Sequence, residues 1–164
     1  MTIRQSDLTN AAYGRTQRSF SAKRYGQPSA FLSHSHKDER LALGLQQMLV
    51  AQGWDIYIDW QDQQMPDQPD VETAKRIKRA IIGADWFLFL ATENSTASRW
   101  CPWEIGYADG EKPLNRIAVV PTTDANGSFY GNEYLRLYSR IDTANSGGLA
   151  LFDTKNQGTW VRSL

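Results

Sequence analysis

The segment Ser98-Arg99-Trp100-Cys101-Pro102-Trp103-Glu104 sets an indole and a carboxylate four residues apart. In the first turns of a helix that spacing brings Trp100 and Glu104 onto one face. A carboxylate beside an indole in a crevice suits a sugar or nucleotide, stacked on the ring and hydrogen-bonded through its hydroxyls. Such a carboxylate can stabilise the oxocarbenium character of a breaking glycosidic bond, or attack the anomeric carbon. A helix N-terminus would favour its ionised form. The plainer alternative makes Trp100 and Trp103 core aromatics and Glu104 a first-turn residue complementing the helix dipole. Taken alone, the spacing favours that alternative. A second cluster, His34-Ser35-His36-Lys37-Asp38, mimics the H-x-H-x-D of binuclear zinc hydrolases. Those sites need further histidines, and this chain has only these two, so no metal is expected.

The elements that must position these groups alternate from Ser29 onward. Ala30-Phe31-Leu32 is a short apolar run ending in the polar stretch Ser33–Asp38. Leu41, Leu45, Met48 and Leu49 then recur at helical spacing, with Ser35 or Asp38 as cap and Gly53 as stop. Trp54, Ile56 and Ile58 alternate as a second strand. Residues 60–70 carry two prolines and read as a loop. A helix follows with Val71, Ala74, Ile77 and Ile81 inward and Lys75, Arg76, Lys78 and Arg79 on a solvated face. Trp86–Leu90 is continuous and apolar, as in a central strand buried on both sides. A third helix runs from Trp100–Pro102 to Gly110, with Pro102 in its first turn. Ile117–Val120 reads as a fourth strand stopped by Pro121, 122–132 as a loop, and Leu135–Ile141 as a fifth strand. The apolar patches Leu149–Phe152 and Trp160-Val161 have no assigned place.

The pattern predicts a flavodoxin-like three-layer α/β sandwich with a five-stranded parallel sheet in the order 2-1-3-4-5. The sheet reverses direction between strands one and three, and ligands bind at the carboxyl ends of the strands there. The two segments flanking that crevice are Ser33–Lys37 and Ala91–Glu104. The fold alone therefore points to the clusters with which the chemistry began.

Composition narrows the partners. The 164 residues suit one domain, and Lys+Arg and Asp+Glu are both 18, which argues against a nucleic-acid binder. Residues 1–28 carry five basic groups against Asp7 alone. They read as a flexible basic arm ahead of a domain over 29–164, although an Arg/Ser-rich, acid-poor opening also has a transit-peptide composition. One cysteine, Cys101, allows no internal disulfide and points to the cytoplasm. No run is long enough to span a membrane.

Several motifs together resemble TIR domains, and bacterial ones above all. Phe31-Leu32-Ser33-His34 resembles their first strand and Ile56-Tyr57-Ile58-Asp59 their second, with the proline-containing segment 60–70 where their BB loop lies. Trp100-Cys101-Pro102-Trp103-Glu104 stands where TIR enzymes carry the Trp-x-x-x-Glu that ends in their catalytic glutamate. Ile105–Gly110 and Glu133–Tyr138 extend the likeness, which covers roughly residues 29–141. The resemblance implies cleavage of NAD to nicotinamide and ADP-ribose, or to a cyclic or conjugated variant, in anti-phage defence of the Thoeris type. It implies Glu104 as the catalytic residue, His34, Ser35, His36, Trp60 and Trp100 as substrate contacts, and no cofactor beyond NAD as substrate. It further implies self-association through the loop 60–70, with a separately encoded effector as partner. Two alternatives remain: a non-catalytic TIR adaptor working through TIR–TIR contact, and an enzyme like the nucleoside deoxyribosyltransferases. A receiver domain fails, because Leu90-Ala91-Thr92 lacks the aspartate that would end the third strand.

Overall fold

The computed structural model describes residues 2–13, 26–59 and 71–164. Residues 60–70, with Trp60 and the expected self-association loop, lie outside the described residues, as do 14–25 of the expected arm. Strand β1 (Ile3–Arg4) leads into helix α1 (Gln5–Tyr13). Strand β2 (Ser29–Ser33) is followed by α2 (Glu39–Val50) and β3 (Asp55–Tyr57). Next come α3 (Val71–Gly83), β4 (Trp86–Ala91), the short α4 (Glu93–Thr96) and α5 (Cys101–Glu111). Strands β5 (Ile117–Thr123), β6 (Phe129–Tyr130), β7 (Ser139–Thr143), β8 (Leu149–Phe152) and β9 (Gly158–Trp160) follow.

The sheet runs β3-β2-β4-β5-β7 with every pair parallel, which is the 2-1-3-4-5 order of a flavodoxin-like fold. It continues in antiparallel fashion through β8 and β9. Side chains alternate along the central strands β2, β4 and β5, so each of these feeds two cores. Ala30, Leu32, Leu88 and Leu90 face the layer holding Leu45 and Leu49 of α2. Phe31, Phe87 and Phe89 face the layer holding Ile77 and Ile81 of α3 and Ile105 of α5. Ser33, two residues beyond Phe31, leaves β2 toward the α3/α5 side. Among the described residues no helix is long and apolar enough to cross a membrane.

Five expectations need correction, one of them the loop over 122–132, where β5 runs on to Thr123 and Phe129–Tyr130 pair back with it as β6. Residues 3–13 are built into the fold instead of forming an arm: Ile3 and Arg4 pair with Thr122 and Thr123, and Ile3 and Leu8 are fully buried. Helix α1 lies so close to α2 that a Cβ at Gly44 would stand 1.8 Å from the Leu8 carbonyl oxygen. Strand β5 continues through Pro121 to Thr123. The proline is tolerated where the strand changes neighbours, with β7 paired up to Val119 and β1 and β6 taking over at Thr122. The expected strand over 135–141 is a 3-10 turn at Glu133–Leu137 followed by β7 from Ser139. Leu135 plugs into the core while Leu137 faces solvent, so the alternation did not mark a strand. Val71, expected inward, is exposed, and Thr73 takes the buried place with Ile77 and Ile81.

Candidate active site

Glu104 sits one turn into α5, its backbone N–H bonded to the Trp100 carbonyl at 2.8 Å. Two things start this helix where it does. Pro102 occupies the first turn, where no backbone donor is required. The Ser98 hydroxyl accepts from the N–H of Trp100 at 3.1 Å and of Cys101 at 3.3 Å. The first turn is thereby pinned, and the Glu104 carboxylate points under the end of β2. There Ser33 Oγ donates to its Oε2 at 2.5 Å, and both residues are buried.

Burial dominates the electrostatics of this carboxylate. Removing its charge from water raises its pKa to about 7; the Ser33 hydrogen bond opposes that rise and the negative Asp59 adds to it. The helix N-terminus was expected to favour the ionised form; desolvation works against it, and both protonation states are populated near pH 7. The neighbouring Cys101 thiol, buried and beside Glu104, is pushed up to about 12 and stays protonated, which removes it as a nucleophile.

The loop after β2 is fixed by its own short-range bonds and by a tie to the loop after β4. Ser35 Oγ accepts the Lys37 N–H and starts a 3-10 turn. Asp38, buried at the end of that turn, accepts from Thr92 Oγ1 at 2.5 Å and from Asn94 Nδ2 at 2.7 Å. Thr92 in turn caps α4 in a capping box with Ser95. The two segments expected to flank the crevice are thus joined through one carboxylate.

The expected site residues are distributed unevenly. His34 is buried, its Nδ1 3.1 Å from the Leu32 carbonyl oxygen. Burial lowers its pKa against the pull of Asp59, so the ring is neutral at pH 7. His36 is exposed, with its ring 6.4 Å from that of His34. Trp100 is half-buried and meets Trp103 edge to face at 5.3 Å, at the margin of the core instead of inside it. Trp103 stacks on Tyr107 with the Lys78 ammonium above both rings, so this residue of the basic face has a structural contact. Glu104, His34 and Trp100 share one end of the sheet; Trp60 lies outside the described residues.

Sequence reasoning missed Ser33 as partner of Glu104, and Asp59, whose charge acts on Glu104, His34 and Cys101. The signal was available in both cases. Each residue ends or follows a strand at its carboxyl edge next to the reversal of the sheet, where the crevice must lie. Among the described residues no group of three or more His, Cys, Asp or Glu side chains is arranged to hold a metal ion.

A family model described as TIR domain matches residues 30–147. A protein of Bacillus cereus (strain MSX-D12) named "Probable 3' cyclic ADP-D-ribose synthase ThsB'" is 33% identical over 135 residues, covering 81% of this chain and 67% of that protein.

Proposed function

The chain belongs to the TIR domain family, and from that premise we propose that it cleaves the nicotinamide–ribose bond of NAD and closes the remainder into a cyclic ADP-ribose, as part of anti-phage defence. The observation that carries this reading is a buried carboxylate, Glu104, held by a buried hydroxyl at the sheet's reversal point. Keeping an ionisable group out of water is costly. A domain that worked only as an adaptor would have no use for it.

The chemistry balances on this chain's own groups. The C–N bond breaks with its electron pair passing to the pyridinium nitrogen, so nicotinamide leaves neutral and positive charge builds on the ribose. Ionised Glu104 faces that charge from a low-dielectric site, where the attraction is stronger than in water. A hydroxyl of the same molecule then attacks the anomeric carbon, and its proton passes to the carboxylate. Water in place of that hydroxyl would give ADP-ribose. In this reading Trp100 stacks on the substrate, neutral His34 and the Ser35 hydroxyl meet the ribose, and His36 at the surface meets the phosphates. Trp60 would be a further substrate contact.

Mass spectrometry of NAD incubated with the protein tests the proposal. The expected products are nicotinamide and a species lighter than ADP-ribose by one water. Glu104→Gln keeps the shape and removes the charge, and should abolish nicotinamide release. The same variant supplies its own folding control through linkage. Glu104 has a folded pKa of about 7 against 4.5 in the open chain. The folded state therefore binds the extra proton between those values, and stability is lost as pH rises through them. That loss is on the order of 3 kcal/mol above the folded value. Glu104→Gln should accordingly melt higher than wild type at pH 8 and about level with it at pH 4. Nicotinamide release at the wild-type rate by this folded variant would overturn the assignment.

A further inference from the structure

The link from β5 to β7 contains only β6 and the 3-10 turn Glu133–Leu137, with no α-helix. The α5-side face of the sheet is therefore left uncovered at that edge, and a cavity of about 300 Å³ remains. Val119 and Leu135 line its core side. Arg140 is the register partner of Val119 on β5 and of Phe152 on β8, so it leaves the sheet on the same face as both. Its guanidinium lies 4.8 Å over the Phe152 ring, donates to Asn156 Oδ1 at 2.8 Å and stands 3.9 Å from the Asp142 carboxylate. Arg136 also lines the cavity and is steadied by Asn132 Oδ1 at 2.7 Å. A guanidinium carries five donors, so these contacts leave donors on both residues for a ligand. Phe129 and Tyr138 contribute rings to the same lining. Its one carboxylate, Asp153, has Oδ1 engaged by the N–H groups of Lys155 and Gln157.

We propose that this cavity is a second binding site, for a phosphate-bearing nucleotide fragment the size of a nucleoside monophosphate. Two guanidiniums are suited to the oxygens of one phosphate through paired, charge-assisted hydrogen bonds. The aromatic lining suits a flat ring. The volume lies at the small end of ligand sites, which run from about 300 to 1,000 Å³. None of Ser33, His34, Trp100 or Glu104 lines the cavity, so it is distinct from the crevice. Leu135, on the core side of the cavity, belongs to the same hydrophobic cluster as Cys101, against which Trp100 packs.

Calorimetry with AMP on the Glu104→Gln protein tests this without turnover, so its failure is separate from failure of the NAD reading. Adenosine, inorganic phosphate and citrate are titrated in parallel. AMP should bind, with adenosine and inorganic phosphate each weaker, and Arg136→Gln should reduce AMP affinity about tenfold by removing a charge-assisted contact. Arg136 is exposed, so this variant should fold even if Arg140→Gln does not. Trp100→Ala should leave AMP binding unchanged. Affinity untouched by Arg136→Gln, or lost in Trp100→Ala, would overturn the site. Adenosine binding as tightly as AMP, or citrate more tightly, would overturn the phosphate assignment.

Discussion

Ser33 and Glu104 form the smallest unit on which the proposed chemistry depends. The carboxylate must be ionised to face a cation, yet burial pushes its pKa to about 7. Activity should therefore rise with pH through that value. The Ser33 hydrogen bond is the influence that holds the pKa down, so Ser33→Ala should displace the acidic limb of the pH–rate profile upward. Activity at neutral pH would fall and partly recover at higher pH, while Ser33→Thr, which keeps the hydroxyl, should restore the wild-type limb. A uniform loss at all pH values would show that Ser33 matters to packing and not to ionisation. Trp100 can be tested at the same scale. A fully enclosed aromatic costs about 3–5 kcal/mol when cut to alanine. Trp100 is only half-buried, so Trp100→Ala should cost less stability than that while removing most activity. A large melting shift with normal specific activity would make it a core residue after all.

Elements deliver these residues, and Asp38 is where two of them are tied. It accepts from Thr92 and Asn94 and so couples the turn after β2 to the start of α4. Removing hydrogen bonds to a buried charged group costs about 1.5–3 kcal/mol each. Asp38→Ala also removes the burial cost of the charge itself, so the expected net loss is about 2–3 kcal/mol. With the loops uncoupled, KM for NAD should rise more than kcat falls, since substrate contacts move and Glu104 stays on α5. An unchanged KM would mean that each loop is held by its own bonds. Legibility in the sequence also follows the elements. Strands β2 and β4 are continuous apolar runs and α5 has a proline start, so their order and the crevice between them could be read directly. Helix α1 could not, because Ile3 and Leu8 are two apolar residues in a basic stretch, and they reach the core through the β1–β5 pairing and the close approach of Leu8 to Gly44. The tail was unreadable for a similar reason. Strands β8 and β9 are short, and they are fixed by pairing with β7 and by the Trp54 indole donating to the Val161 carbonyl at 2.9 Å, a contact across most of the chain.

At the scale of the whole molecule, the proposed chemistry responds to whatever seats beside Asp59. Asp59 is the last described residue before the loop 60–70, and its charge acts on Glu104, His34 and Cys101. Asp59, just ahead of that segment, is thus within electrostatic reach of the proposed catalytic carboxylate. A neighbouring copy seated against the segment would alter the site directly, both by excluding water and by placing new groups near Asp59. Excluding water would strengthen the attraction between Glu104 and the developing cation. The formal net charge is zero, so long-range repulsion offers little opposition to such contact. Nicotinamide release per molecule should accordingly rise with protein concentration, and Gln63→Asp together with Gln64→Asp should flatten that rise by adding like charge to both copies. The measurement is specific activity over a wide dilution series, with the oligomeric state followed by light scattering on the same samples. If activity per protomer stays constant where scattering shows only monomer, the crevice is complete within a single chain and the loop acts without a partner.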